Sequence, residues 1–241
     1  MSKLIIDLLS DTHNRHEEFT CSGGDILLHS GDCTGRGTMA EAISFLDWYA
    51  KQPYDHKVMI AGNHDWIFEQ QPQLMADECK ARGIILLNDS GCVFKDNMGQ
   101  KGDYLIHVWG SPVQPWFHSW AFNRGRGNEI KKHWDLIPKN TEILLTHGPA
   151  HGILDGVERF TRDAEYETEH VGCEELIKVI ENSSILLHVC GHIHEGRGYE
   201  YKREKTYVNA SSLDRRYYPV SRKPMRTIRE IFQDGSVGYV L

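Results

Sequence analysis

The chain has 241 residues, 40% hydrophobic and 25% charged, which suits one large globular domain over residues 1–241 with a substantial buried core. Its net charge of -7 argues against a broad basic surface for tracking nucleic acid. The apolar run Leu4 to Leu9 is broken by Asp7 and is too short for a signal peptide or a membrane span, so a cytoplasmic location without a membrane partner is the default expectation.

Short runs rich in Val, Ile and Leu read as buried strands: Lys3 to Leu9, Asp25 to His29, Val58 to Ala61, Ile84 to Leu87, Tyr104 to Trp109, Glu142 to Thr146 and Ile185 to Cys190. Helical patterns lie between several of them. One spans Met39 to Gln52, opened by Thr38 and Glu41 at capping-box spacing, with Ile43, Leu46 and Ala50 along one face. A second starts at Pro72 and stops before Gly83, and a third runs from Cys173 to Glu181. After Gly191 the pattern is strands only: Lys205 to Asn209, Arg226 to Phe232 and Val237 to Leu241. This order predicts two packed sheets with helices outside. Gly110 to Asn128, rich in Trp, Pro, Gly and Arg, and the charged stretch Gly156 to His170 read as excursions over the surface, the latter with a second reading as a flap over the site. Six cysteines stand singly, with no C-x-x-C pair, which argues against a disulfide framework.

The residues that carry chemistry stand at the strand ends. The predicted strands run out into Asp11-Thr12-His13, Gly31-Asp32, Gly62-Asn63-His64-Asp65, Thr146-His147-Gly148 and Gly191-His192-Ile193-His194. Ligands bind at the carboxyl ends of strands in open α/β sheets, so these loops are expected to converge on one crevice. Imidazole, carboxylate and amide donors together suit transition-metal ions, and a carboxylate can bridge two of them. A pair of ions serves in-line displacement at phosphorus. A single histidine at a strand end is more often a packing or capping residue; seven donors in order, Asp11, His13, Asp32, Asn63, His147, His192 and His194, reverse that preference.

These blocks resemble, in order, the signature motifs of the calcineurin-like metallophosphoesterases. Longer stretches, including Gly110-Ser111-Pro112-Val113-Gln114-Pro115-Trp116-Phe117 and Tyr207-Val208-Asn209-Ala210-Ser211, are similar to the animal metallophosphoesterase-domain-containing subgroup. The resemblance implies a four-layer α/β/β/α sandwich, two mixed sheets flanked by helices. It implies one divalent ion on Asp11, His13, Asp32 and His194, and a second on Asp32 as the bridge, Asn63, His147 and His192. It also implies His64 as the catalytic histidine at the leaving oxygen, with Asp65 orienting its imidazole. Mn or Fe is the expected metal, with Zn or Ni also accepted by such donors.

Gly31-Asp32-Cys33-Thr34-Gly35-Arg36-Gly37 resembles the protein Ser/Thr phosphatase block GDxxDRG, with Gly35 where that block has an acidic residue. Arg36 is therefore a substrate-binding candidate, and Arg15 is carried beside it as another, each against a reading as a solvated turn residue. Trp109, Trp116, Phe117, Trp120 and Phe122 could form a wall for a nucleobase, and a hydrophobic plug anchoring the loop is the favoured alternative. His29 and His188, inside strands, read equally as supports for the ligands or as core histidines. His16, His56, His107, His118, His133, His151 and His170 default to surface or loop roles.

The expected activity is hydrolysis of a small, cyclic-nucleotide-like phosphodiester by a metal-bridging hydroxide, with a homodimer expected from base rates. The alternatives are a phosphomonoesterase, including a protein Ser/Thr phosphatase, a nuclease disfavoured by the acidic balance, and a scaffold that kept the fold without catalysis.

Overall fold

The computed structural model describes residues 3–96, 104–160, 166–232 and 234–240. In chain order, β1 (Lys3–Leu9), β2 (Gly24–Ser30), α1 (Met39–Ala50), β3 (Tyr54–Ile60), α2 (Trp66–Gln70), α3 (Pro72–Ala81), β4 (Ile84–Leu86), β5 (Ser90–Asp96) and β6 (Tyr104–Ser111) form the first half. Then come β7 (Gln114–Pro115), β8 (Asn123–Arg124), α4 (Asn128–Trp134), β9 (Ile143–Thr146), β10 (Gly156–Phe160), β11 (Tyr166–His170), α5 (Glu174–Glu181), β12 (Leu187–Cys190), β13 (Gly198–Lys202), β14 (Lys205–Asn209), β15 (Met225–Ile231) and β16 (Val237–Val240). Leu241, the last residue of the final predicted strand, and residues 161–165 of the charged stretch lie outside the described residues.

Two six-stranded mixed sheets result, ordered β16-β15-β1-β2-β3-β4 and β13-β14-β12-β9-β6-β5. In the first, β1 to β4 are parallel and β15 and β16 antiparallel. In the second, β6, β9, β12 and β14 run parallel. Alternation along the strands explains the layering, because each parallel strand is apolar on both faces. Ile6, Leu8, Ile26, Leu28, Val58 and Ile60 meet Ile106, Val108, Ile143, Leu145, Leu187 and Val189 between the sheets. The opposite residues, Leu27 and Met59, pack under Phe45, Leu46, Tyr49 and Met75 of α1 and α3. Leu144 and Tyr207 pack under Ile130, Trp134, Leu176 and Ile180 of α4 and α5. The architecture is the expected α/β/β/α arrangement.

The capping box forms as predicted: the Thr38 side chain accepts from Glu41 N, and the Glu41 carboxylate accepts from Thr38 N. Other expectations change. The segment from Gly110 to Asn128 is not a plain surface excursion, since Val113, Ala121 and Phe122 are buried and β7 pairs with β8. The described parts of the charged stretch form the exposed β10–β11 hairpin. His16 is buried, its ring 5.6 Å from that of Phe45 and 5.5 Å from Trp48, because it opens a short turn that packs on α1.

Candidate active site

The ends of β1, β2, β3, β9 and β12 meet where the two sheets abut. A parallel bridge between Ser10 and Ser211 joins the loop after β1 to the loop after β14, across the two sheets. Asp11 N donates to Gly31 O at 2.9 Å and His13 N to Asp32 O at 3.0 Å, so consecutive strand-end loops are laced together. The turns are tight enough to hold Asp11, His13, Asp32 and His192 at positive φ of 54°, 38°, 55° and 67°. Side-chain-bearing residues rarely adopt that region, and it concentrates at functional sites. Gly31 sits at φ 100°, and a Cβ there would lie 2.6 Å from His147 Nδ1 and 2.7 Å from Ala61 O. Only glycine lets the β2 end pass beneath that imidazole.

Among the described residues, three groups of side chains bring ligand atoms close enough to hold an ion: Asp11, His13 and His194; His13, Asp32 and His64; and Asp32, His147 and His192. The hydrogen bonds of the imidazoles show which ring nitrogens are free. His13 Nδ1 lies 3.2 Å from Thr34 O, His147 Nδ1 2.9 Å from Ser30 O, and His194 Nδ1 2.9 Å from Asp214 O. A carbonyl oxygen only accepts, so each Nδ1 carries the proton and each Nε2 is directed elsewhere. His147 Nε2 faces Asn63 Oδ1 at 2.8 Å and Asp32 Oδ2 at 3.3 Å. His194 Nε2 faces Asp11 Oδ1 at 3.4 Å. His13 Nε2 lies 3.9 Å from Asp11 Oδ1 and 3.8 Å from Asp32 Oδ2, buried and without a hydrogen-bond partner. These Nε2 atoms face carboxylate or amide oxygens, so positive charge between them, a ring proton or a metal ion, satisfies the cluster. The donor set therefore fits divalent cations.

The titration behaviour points the same way. Burial disfavours the charged His147 ring, but the Asp32 and Asp11 carboxylates outweigh it and push the ring up to about 9. Burial also opposes charge on His194, and the Asp11 carboxylate raises it to about 9. His13 falls to about 4 and His192 to about 3, because for them burial dominates. Against its own burial, Asp11 is held well below the usual carboxylate range by the His194 imidazole, and Asp32 is held low by His147. The two carboxylates thus draw positive charge onto His147 and His194, the charge that a bound cation would supply in their place.

Asn63 is buried at the end of β3, and the neighbouring His64 lines the cavity with His13, Asp32, His192 and His194. His64 Nδ1 lies 2.8 Å from Gly35 O, and the ring stacks on Trp120. The expectation that Asp65 orients this imidazole is corrected. The fully buried Asp65 carboxylate accepts from Gly62 N at 2.8 Å, Thr34 N at 2.9 Å and Thr34 Oγ1 at 2.7 Å. It ties the loop after β3 to the loop after β2, while the Gly35 carbonyl holds the His64 ring.

Both arginine expectations are corrected as well. Arg36 is exposed in a separate cavity with Thr38, Met39, Trp66, Ile67 and Gln70, because the turn at Gly37 carries it away from the β2 end. Arg15 pairs with Glu18 through Nε at 2.6 Å and donates to the Tyr217 carbonyl, with its guanidinium 5.7 Å from the Tyr218 ring centre. It braces the loop 214–218 rather than facing the cavity. That loop carries the residues that sequence reasoning missed: Arg215 and Tyr217 line the cavity with Glu195. The Tyr217 ring meets the edges of His13 at 4.9 Å and His194 at 5.5 Å. A positively charged residue shortly after the Asn209-Ala210-Ser211 strand end was the only available signal.

His29 and His188 touch the loops rather than the ligand side chains. His29 Nε2 lies 3.2 Å from Thr12 Oγ1, between Asp11 and His13, and His188 Nε2 lies 2.8 Å from Thr146 Oγ1, beside His147. The aromatic segment is both a plug and a wall. Asn123 clamps it, accepting from Phe117 N and donating to Phe117 O and His118 O, so that Phe117 meets His192 edge-on at 5.6 Å. Beside the cavity lies a groove of about 500 Å³, bounded by Trp116, Phe117, His192, Glu195 and the hairpin residues Val157 and Arg159.

Residues 5–196 match the profile of the family described as calcineurin-like phosphoesterase. The chain belongs to that family. It is 36% identical over 228 residues to human and mouse metallophosphoesterase domain-containing protein 1, covering 88% of this chain and 67% of each relative. It is 30% identical over 217 residues to the UPF0046 protein C25E10.12 of Caenorhabditis elegans, covering 86% of this chain and 74% of that protein. Among solved structures, the phosphopantetheinyl hydrolase PptH from Mycobacterium tuberculosis shares the fold with a TM-score of 0.60 at 14% identity, over 100% of this chain and 96% of that one. Family membership supports metal-dependent phosphoric ester hydrolysis, and among the described residues no helix is long and apolar enough to cross a membrane.

Proposed function

We propose that this chain is a two-metal phosphodiesterase acting on a small diester of the cyclic-nucleotide type, in the cytoplasm, with Mn or Fe as the ions. The observation that carries the reading is Asp32, whose carboxylate belongs both to the group with His13 and to the group with His147 and His192. One ion would be held by Asp11, His13, Asp32 and His194, and the other by Asp32, Asn63, His147 and His192. Such ions polarise phosphoryl oxygens and lower the pKa of water.

The remaining steps belong to the chain. Backbone carbonyls on Nδ1 of His13, His147 and His194 fix the tautomer and pose of three imidazoles before substrate arrives. His64, with Nδ1 on Gly35 O, presents Nε2 to the cavity, where a proton on it is donated to the departing oxygen. Phe117 lines the same space against His192, and Trp120 backs the His64 ring. The protein phosphatase alternative rested on Arg36, and that side chain stands in another cavity.

The test is hydrolysis of bis(p-nitrophenyl) phosphate by metal-stripped protein with and without Mn²⁺, together with Asn63→Ala and His64→Ala. The expected result is turnover that needs Mn²⁺ and falls by roughly 10²-fold or more in each variant. Faster turnover of p-nitrophenyl phosphate than of the diester would contradict the diesterase assignment.

A further inference from the structure

We propose that Arg215 is a specificity-determining residue that selects phosphate esters carrying a second anionic group; this rests on the phosphodiesterase reading above and narrows its substrate to a diester with a charge that a simple cyclic nucleotide lacks. The cavity over the metal-ligand groups is lined by His13, Asp32, Asn63, His64, His192 and His194 on its floor, and among the described residues Arg215 is the one Arg or Lys that lines it. The Arg215 side chain is 61% exposed, at the rim, whereas Asp11, Asp32 and His147 lie buried beneath.

A single tether aims the side chain. Arg215 Nε lies 3.1 Å from Glu195 Oε1, and Glu195 lines both this cavity and the neighbouring groove. One edge of the guanidinium is thereby occupied, and no described residue pairs with the two terminal nitrogens, a planar fork of the geometry that takes a phosphate or carboxylate in a bidentate pair. The loop under it is built to hold position. Asp214 Oδ1 accepts from Arg216 N at 2.8 Å and Tyr218 N at 2.9 Å, His194 Nδ1 donates to Asp214 O, and Arg15 donates to Tyr217 O. The same loop therefore anchors an imidazole of the floor and presents the cation at the rim. A phosphoryl group reacting over the floor would leave the rim to a charge elsewhere on the substrate. A terminal phosphate or a carboxylate has the required chemistry.

The experiment compares two chromogenic diesters on Mn²⁺-loaded protein: thymidine 5′-(p-nitrophenyl phosphate), and the same ester with a 3′-phosphate. The wild type should show roughly tenfold higher kcat/KM for the doubly charged ester. Arg215→Ala should abolish that ratio, and Arg215→Lys should keep part of it. Equal kcat/KM in the wild type, or equal losses on both esters in Arg215→Ala, would overturn the proposal while leaving the phosphodiesterase intact. If neither ester is cleaved, the phosphodiesterase reading falls, and calorimetry decides the fate of Arg215. Tenfold tighter binding of thymidine 3′,5′-bisphosphate than of the 5′-monophosphate, lost in Arg215→Ala, would uphold the anion site, and equal binding would end it.

Discussion

The His64 imidazole lies on the Trp120 indole with ring centroids 4.2 Å apart and planes inclined by 27°, while its Nδ1 is held 2.8 Å from Gly35 O. Stack and hydrogen bond together leave the ring one orientation, with Nε2 toward the cavity. Trp120→Ala removes the stack and keeps the hydrogen bond. The expected outcome is a fall in kcat of about tenfold, short of the roughly 10²-fold or larger loss from His64→Ala, since a mispositioned acid still donates. Steady-state kinetics on a diester checks it, and an effect on KM alone would show that Trp120 serves binding.

Asp65 supports a different prediction. Its buried carboxylate accepts from the backbone amides of Cys33, Thr34 and Gly62 and from the Thr34 hydroxyl, so Asp65→Ala leaves several donors unpaired in the interior. A loss of about 2–4 kcal/mol in unfolding free energy is expected, from the cost of orphaned buried polar groups. Urea denaturation of the metal-free protein measures it. A loss under about 0.5 kcal/mol would mean that the two loops are held by other contacts.

Acid sensitivity arises at His188. Burial depresses this imidazole to about 3 from an ordinary value of 6.5. Between those values the unfolded chain binds the proton and the folded chain does not, so stability is complete above pH 6.5 and declines as the pH falls toward 3, by about 1.4 kcal/mol per pH unit at most for one group. His188→Gln should flatten that dependence in urea melts of the metal-free protein. An unchanged slope would assign the acid sensitivity to other groups, of which His29, also held at about 3 by burial, is the first.

Arg36 and Arg15 should separate cleanly. Arg36→Ala removes an exposed side chain from a cavity that none of the metal-ligand residues lines and should leave kcat/KM within about twofold. Arg15→Ala releases the Tyr217 carbonyl and the pairing with Glu18, and should raise the mobility of the loop carrying Tyr217. Hydrogen exchange at residues 214–218 reports that directly, and unchanged protection would show the Asp214 turn to be sufficient.

The floor of the site was legible because each ligand comes just after a strand, and β1 and β14 have the bounds that their apolar runs predict. Parallel strands ending on one edge then bring the ligands together. The rim was legible only in part: the aromatic-wall reading included Phe117. Arg215, Tyr217 and Glu195 come from segments whose approach depends on contacts such as Arg15 on Tyr217 and Glu195 on Arg215. No local pattern encodes those pairings. Strand β5 was missed for a related reason: among its residues Ser90 to Lys95 only Phe94 is fully inward, so the hydrophobic signal is weak. Asp65 was misassigned because adjacency in sequence to His64 suggested contact, whereas the turn at Gly62 sends the two side chains to different neighbours.

A pair of ions sharing Asp32 is the chemistry on which the proposed activity depends. Its most direct test is the metal content of protein stripped of metal and reloaded with Mn²⁺, measured by elemental analysis after removal of free ion. Two ions per chain in the wild type, one in Asn63→Ala and fewer than one in Asp32→Ala are expected. A single ion in the wild type, or two retained after Asp32→Ala, would contradict the account.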